Sequence, residues 1–303
     1  MSNYHLLTVI IPAFNEEEGI GKVLAQLTSE LPEAQVIVVD DGSTDRTAAE
    51  ASGHSSVRVI RHAFNRGYGA SLRTGMETAE REYVAWFDAD NEHRTTDLQS
   101  MFELIRRDRL VAVIGQRENQ SVSIVRAAGK LFIRSLGRTF DLKVGSDLNC
   151  GLRIFRTEVI TRYLSLLPDR YSASLTTTML MVERHYPIAF FRVRTAKRIG
   201  VSKVRLKDGL SAISKLIRLI MLFAPMRIFF RLGVLLIVIG LTYGTYIAIT
   251  EHLGFPIAGM LVVLFGGLLS MLGLVADQIS QFWLSQLAAR PLQHRVSPDK
   301  QAD

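Results

Sequence analysis

Tyr83-Val84-Ala85-Trp86-Phe87-Asp88-Ala89-Asp90 is the stretch that decides how this chain of 303 residues is read. An apolar run closed by acids predicts a buried strand that delivers its last residues to the edge of a sheet. Side chains two apart on an extended chain share a face, so Asp88 and Asp90 are expected to point at one spot. Carboxylates that close repel unless a cation lies between them, and an oxygen-only donor set suits Mg²⁺ or Mn²⁺. Such an ion, held by one or two carboxylates, commonly also binds substrate phosphates. Standing alone, an Asp-x-Asp is better read as a solvated acidic turn. Its neighbours decide between the two.

Those neighbours form a series. Thr8–Pro12, Val36–Asp40, Val57–Arg61, Tyr83–Asp88 and Val111–Gly115 read as strands, with helical stretches near 17–30, 44–52, 68–80 and 95–108. Alternation at this spacing predicts an α/β, Rossmann-like, mostly parallel sheet with helices on both faces. Ligands bind such sheets outside the carboxyl ends of the strands. Polar residues collect there: Asn15-Glu16, Asp40-Asp41-Gly42-Ser43, Asn65-Arg66-Gly67 and Asp88-Ala89-Asp90. No P-loop is present, and Gly67-Tyr68-Gly69 lacks the third glycine of a dinucleotide fingerprint. Asp40 and Asp41 can accept hydrogen bonds from a base or ribose, and Ser43-Thr44 is expected to cap the following helix.

The second half of the chain has a different character. Residues 192–231 hold eleven Lys or Arg against Asp208 alone, whereas residues 1–191 hold 22 against 24 Asp or Glu. The positive charge is therefore one block, and that block precedes two uncharged runs, Leu232–Thr250 and Leu253–Ala276. A spanning helix needs about 20 apolar residues, and Lys and Arg gather on the cytoplasmic flank of spans. These features predict a transmembrane hairpin at 231–279, with spans of about 232–250 and 255–276 and both termini in the cytoplasm. Tyr243, Tyr246, Phe255 and Trp283 either anchor the interfaces or pack in the ordinary way. Leu206, Leu210, Ile213, Ile217 and Ile220 make an apolar stripe with Lys207, Lys215 and Arg218 off it. Region 206–230 is thus an amphipathic helix that either lies on the membrane or packs on the preceding domain. Residues 1–205 would be a cytoplasmic α/β domain and 280–303 a cytoplasmic tail. Charge confined to a membrane collar, without interleaved aromatics, argues against nucleic acid as a partner. A single cysteine, Cys150, excludes an internal disulfide and fits a reducing compartment. The short apolar stretch Leu6–Ile11 runs into acidic residues and is not expected to be a signal peptide.

Val9-Ile10-Ile11-Pro12-Ala13-Phe14-Asn15-Glu16-Glu17, Val38-Val39-Asp40-Asp41-Gly42-Ser43-Thr44-Asp45 and Asp88-Ala89-Asp90 resemble the motifs of family 2 glycosyltransferases of the GT-A fold. Asn65-Arg66-Gly67-Tyr68-Gly69-Ala70, Asp147-Leu148-Asn149-Cys150-Gly151-Leu152-Arg153 and the hairpin narrow the resemblance to the polyprenyl-phosphate glycosyltransferases. It implies a nucleotide-sugar donor, a polyprenyl phosphate acceptor, membrane lipids as surroundings and Mg²⁺ or Mn²⁺ as cofactor, and it leaves a homo-oligomer open. It also places the chain at a bacterial inner membrane, catalytic domain on the cytoplasmic face.

Roles follow from the same resemblance. Pro12, Ala13, Asn15, Glu16 and Asp41 would line the nucleotide pocket, with Asp40 close by. Asp88 and Asp90 would bind the metal bridging the diphosphate, with Glu92 a candidate third ligand and His93 a polar neighbour. Arg117 would close over substrate phosphates. Arg126, Lys130 and Arg134, at i, i+4 and i+8, would receive the lipid phosphate or form a solvated basic face. Ser202-Lys203 would contact acceptor or diphosphate. Asp90, Arg117 and Asp147 would be the catalytic residues, Asp147 and Arg153 standing where the family's Asp-Leu-Thr-Ser-Gly-Phe-Arg motif reads Asp-Leu-Asn-Cys-Gly-Leu-Arg in this chain. A lipid phosphate is already anionic near neutral pH, so no general base is needed and a single displacement with inversion is expected. A polysaccharide synthase, or a membrane-tethered nucleotide-sugar sensor without activity, shares part of this pattern.

Overall fold

The computed structural model describes residues 3–117, 147, 150–169, 173–194, 221–223, 225–252 and 254–289. Its described residues fall into two units, one within 1–202 and one within 203–290.

The first unit is a seven-stranded sheet. Its strands are β1 (Leu7–Ala13), β2 (Gln35–Asp40), β3 (Val57–Arg61), β4 (Tyr83–Trp86), β5 (Ala112–Arg117), β6 (Arg153–Arg156) and β7 (Ile188–Val193), in the order β3-β2-β1-β4-β6-β5-β7. Helices α1 (Glu17–Glu30), α2 (Thr47–Ser52), α3 (Tyr68–Thr78) and α4 (Thr95–Arg107) alternate with the first five strands, and α5 (Thr157–Thr161) and α6 (Ala173–Glu183) follow β6. β1 is buried along its whole length because helices cover both of its faces, which is why it reads as an unbroken apolar run. Leu7, Val9, Ile11 and Ala13 share one core with Ile20, Val23, Leu24 and Leu27 of α1 and with α4. On the other face Ile10 meets α3 so closely that a Cβ on Gly75 would overlap its side chain. Helix α4 buries Leu98, Met101, Phe102 and Ile105, spaced as one helical face, each contributing roughly 2 kcal/mol. β3 ends the sheet with Arg58 and Arg61 exposed, charges that discourage further pairing.

Most pairings are parallel, as expected, but β6 runs antiparallel between β4 and β5. Neither β6 nor β7 was expected from the sequence pattern. β4 also stops two residues short of the expected Asp88: Phe87 still donates its N–H to Ile10 O (3.0 Å), and Ala89 and Asp90 form a turn. The two carboxylates are therefore held by a loop and not by strand alternation.

The second unit is a helical hairpin of α7 (Pro225–Thr250) and α8 (Ile257–Ala289). Both helices are long and apolar enough to cross a membrane. The first turns of α7 are residues assigned by sequence to the amphipathic region. α8 continues without a break past the expected end of the span at 276, through Asp277 to Ala289. The region 206–220 lies outside the described residues.

Glycines pack the hairpin. Gly259, Gly266, Gly273 and Ser280 recur every seven residues on the buried side of α8, and Gly233 and Gly240 do so on α7. A Cβ on Gly233 would stand 2.5 Å from Gly266 O, and one on Gly240 2.9 Å from Gly259 O. The helices thus approach backbone to backbone with an antiparallel register. Leu235, Val238, Ile239, Leu264, Phe265 and Leu268 point outward and are exposed.

Candidate active site

The chain leaves β1 toward β2 on one side and later returns as β4 on the other, so a crevice opens at the carboxyl ends of these strands. All four polar strand ends named from the sequence meet at this edge. Pro12 and Ala13 are the last residues of β1, and Ala13 O accepts the N–H of Asp41 (2.8 Å). Asn15, with φ +55°, donates its N–H to Ser43 Oγ (3.0 Å) and accepts Thr44 N–H at Oδ1 (3.0 Å). Glu16 N–H donates to Thr47 Oγ1 (2.8 Å). Ser43 and Thr44 thus stitch two loops together and do not cap α2. That helix starts at Thr47, whose N–H bonds Asp45 Oδ1 (3.0 Å).

Asp40 and Asp41 are both buried. Asp40 Oδ1 accepts Ser43 N–H (3.1 Å), and its Oδ2 faces Arg61 Nε (3.1 Å). Asp41 draws in the loop after β3: Oδ1 accepts Arg66 N–H (2.9 Å) and Oδ2 accepts Gly67 N–H (2.7 Å). Gly67 can take part because its φ of +106° is open to glycine and costly for other residues. It leads directly into Tyr68, the first residue of α3, whose hydroxyl donates to Asp88 Oδ1 (2.9 Å).

Asp88 is 23% exposed and lies 3.4 Å from Nε2 of buried His93. Burial pushes the Asp88 carboxyl up, but His93, Tyr68 and Arg117 outweigh it and hold the group below its usual range. His93 shows the converse. Burial pushes the imidazole down, and Asp88, Asp90 and Glu92 together raise it. All three acids therefore lie within electrostatic reach of one ring. Asp90 Oδ1 accepts Glu92 N–H (3.1 Å), and Glu92 pairs with Arg117 Nη1 (3.5 Å). Arg117, the last residue of β5, donates Nε–H to Asp147 Oδ2 (2.7 Å). Burial opposes its charge, but Asp147 more than compensates and raises its pKa.

The antiparallel strand supplies a part of the site that sequence reasoning did not assign. Because β6 starts at the carboxyl edge, Gly151 lies against Asp88, and a Cβ there would overlap the Asp88 carboxylate. Arg153 is fully buried, donating Nε–H to Cys150 O (2.8 Å) and Nη1–H to Thr178 Oγ1 (2.7 Å) and Thr177 Oγ1 (3.2 Å). Burial lowers its pKa to about 10, opposed by Cys150, Tyr68, Asp147 and Asp88. Arg126, Lys130, Arg134, Ser202 and Lys203 lie outside the described residues. Tyr68 and Gly151 sit inside motifs visible in the sequence, but their contacts with Asp88 depend on strand order.

As to a cation, no three His, Cys, Asp or Glu side chains among the described residues are arranged so that they could hold a metal ion together. Asp88 and Asp90 are two hard oxygen donors, and the missing side chain of Gly151 leaves room for the Asp88 carboxylate. This donor set fits an ion of the Mg²⁺ or Mn²⁺ type, which binds through one or two carboxylates and completes its shell with phosphate oxygens and water.

A Rossmann-like sheet with an acidic turn at its switch point, followed by an apolar hairpin, defines a class, and comparison with known proteins names it. The chain belongs to glycosyl transferase family 2, whose model matches residues 8–164, and it is a glycosyltransferase. Residues 224–282 match a second model, the GtrB C-terminal hairpin. The dodecaprenyl-phosphate galacturonate synthase of Rhizobium johnstonii is 29% identical over 172 residues, 51% of this chain and 48% of that protein. The dolichyl-phosphate beta-glucosyltransferase of Drosophila melanogaster is 29% identical over 221 residues, 62% of this chain and 66% of that protein. The chain thus spans about half to two thirds of these relatives. Among solved structures, glucosyl-3-phosphoglycerate synthase from Mycobacterium tuberculosis, in complex with Mn²⁺, UDP-glucose and phosphoglyceric acid, aligns with a TM-score of 0.55 at 19% identity. That match covers 69% of this chain and 75% of the other, and shows a shared fold.

Proposed function

We propose that this protein transfers a hexose from a nucleotide-sugar, of the UDP-glucose or GDP-mannose type, to a polyprenyl phosphate at a membrane, with inversion at the anomeric carbon. The observation that carries this reading is the union in one chain of a family 2 catalytic unit with a GtrB-type hairpin. Two relatives named for polyprenyl or dolichyl phosphate acceptors support it. The placement proposed for it is a bacterial inner membrane, catalytic unit on the cytoplasmic face, with the basic block at 192–231 as its collar.

Asp88 and Asp90 would hold a Mg²⁺ or Mn²⁺ ion, which when bound neutralises charge on the departing nucleoside diphosphate. The protein's own residues do the remaining work. Asp40, Asp41, Asn15 and Glu16, with Pro12 and Ala13, form the nucleotide end. Arg117, now paired with Glu92 and Asp147, can exchange one of those carboxylates for a substrate phosphate. Arg126, Lys130, Arg134, Ser202 and Lys203 are assigned to the lipid phosphate. That phosphate attacks as an anion, so the site needs to position the reactants and stabilise charge, and it needs no proton acceptor.

The test is transfer of labelled sugar from UDP- and GDP-sugars into a polyprenyl phosphate by the purified full chain. Asp90→Ala is expected to reduce metal-dependent transfer by roughly 10²–10³-fold while leaving the protein membrane-bound and folded. Retained transfer would remove the metal role, and donor binding without any transfer would favour the sensor instead.

A further inference from the structure

His62 follows β3 and is used by nothing in the reaction as described above, yet it is 7% exposed and held at both ring nitrogens. Nδ1 lies 2.7 Å from Asp41 Oδ1, and Nε2 lies 3.0 Å from Thr74 Oγ1 on α3. Its own backbone N–H donates to Asp40 O (2.9 Å). A ring held at both nitrogens, on a backbone that is itself bonded, has one orientation. A neutral imidazole satisfies both side-chain contacts if Nδ1–H donates to Asp41 and Nε2 accepts from the Thr74 hydroxyl.

Asp41 carries more than this bond. The same carboxylate collects the N–H groups of Arg66 and Gly67, and Gly42 beside it (φ +73°) is pressed against the backbone of Phe64. Rotating the carboxylate would release Gly67 from its positive φ and shift Tyr68, which bonds Asp88. Each carboxylate oxygen can accept two hydrogen bonds, so Oδ2 keeps capacity beyond Gly67.

We propose that His62 is a positioning residue for the nucleotide end of the donor site: its imidazole sets the rotation of Asp41, and through Asp41 the Arg66–Tyr68 backbone that carries the Tyr68 hydroxyl to Asp88. This rests on the donor-site reading given above. His62 touches no substrate atom. It acts as the hydrogen-bonded orienters of binding groups do, by allowing the group it holds a single geometry.

Asparagine and glutamine separate this role from simple packing. An Asn amide nitrogen reaches the place of Nδ1, and a Gln amide reaches that of Nε2. The full chain in detergent micelles would be titrated calorimetrically with UDP and GDP in the presence of MnCl₂, with thermal unfolding recorded alongside. His62→Asn is expected to bind nucleotide close to wild type, whereas His62→Gln loses about tenfold or more in affinity at a similar melting temperature. Thr74→Val, which frees only the far side of the ring, should fall between them. Equal losses in the two His62 variants, or a larger loss in His62→Asn, overturn the proposal. Failure of the donor-site reading would show separately, as wild-type protein binding neither nucleotide.

Discussion

The carboxyl edge of the sheet and the helical hairpin both bring backbone and side chains unusually close, by opposite means. At the sheet edge, proximity comes from directional bonds: Asp41 takes two backbone N–H groups and an imidazole, and Arg117 bridges Glu92 and Asp147. In the hairpin it comes from deletion of side chains, Gly233 against Gly266 and Gly240 against Gly259. The difference follows from what each unit would do in the proposed function. Apolar side chains gain little by leaving lipid for each other, so helices associate there by close backbone approach. A reaction site needs charges in fixed places, and fixed charges away from water need partners. Glycine serves both units, making room for a backbone in the hairpin and for a carboxylate at Gly151.

Gly151→Ala gives the sharpest break in this comparison. The added methyl group would displace the Asp88 carboxylate and its bond with Tyr68, so turnover should fall about 10²-fold with little change in thermal stability. Label transfer and a melting curve read the two quantities. If activity survives, the Asp88 geometry is not what the site depends on.

Gly240→Ile makes the matching change in the hairpin. Its Cβ would meet Gly259 O and Val263, forcing the helices apart at a cost of about 1–3 kcal/mol. Nucleotide affinity should stay at the wild-type value, while resistance of the hairpin to unfolding in mixed detergent falls. Parallel loss of nucleotide affinity would mean that the two units are not energetically separable.

The smallest effect concerns Cys150, fully buried beside Gly151. Burial, helped by Asp147 and opposed by Arg153, pushes the thiol up to about 12 from 9.0. It should therefore resist a thiol-specific reagent at pH 8 and react fully once denatured. Because the folded value is the higher one, its contribution to stability is intact below pH 9 and is lost as pH rises toward 12. Denaturation midpoints compared between wild type and Cys150→Ser at pH 8 and 10 would show the slope. Rapid labelling of the native protein would contradict the burial.

Much of the sheet edge was legible because its signals are local. Asn15, Asp40-Asp41-Gly42, Asn65-Arg66-Gly67 and Asp88-Ala89-Asp90 each stand next to an apolar run, and all of them reached the same edge. The end of β4 was misjudged because Phe87 looks like strand and still bonds Ile10, although the ladder stops at Trp86. β6 escaped notice for a different reason. Arg153-Ile154-Phe155-Arg156 is four residues with an arginine at each end, and its burial depends on β4 and β5 closing around it. The Ser43-Thr44 cap failed because Asn15 competed for Thr44 and Ser43. The glycine heptad of the hairpin was present in the sequence, but the long apolar runs obscured it.

By itself, the sequence determined the alternation of strands and helices, the edge where the acids would collect, the single cysteine, and two runs long enough to span a bilayer. These are properties of periodicity, charge and composition, which act over a few neighbouring residues. Only the tertiary structure decided that the strand carrying Arg153 inserts antiparallel beside β4. That choice sets Gly151 against Asp88 and Arg117 between Glu92 and Asp147, while the parallel pairing of β2 with β3 sets His62 behind Asp41. Such contacts join residues far apart in the chain, and their energies exist only once the sheet has chosen its order.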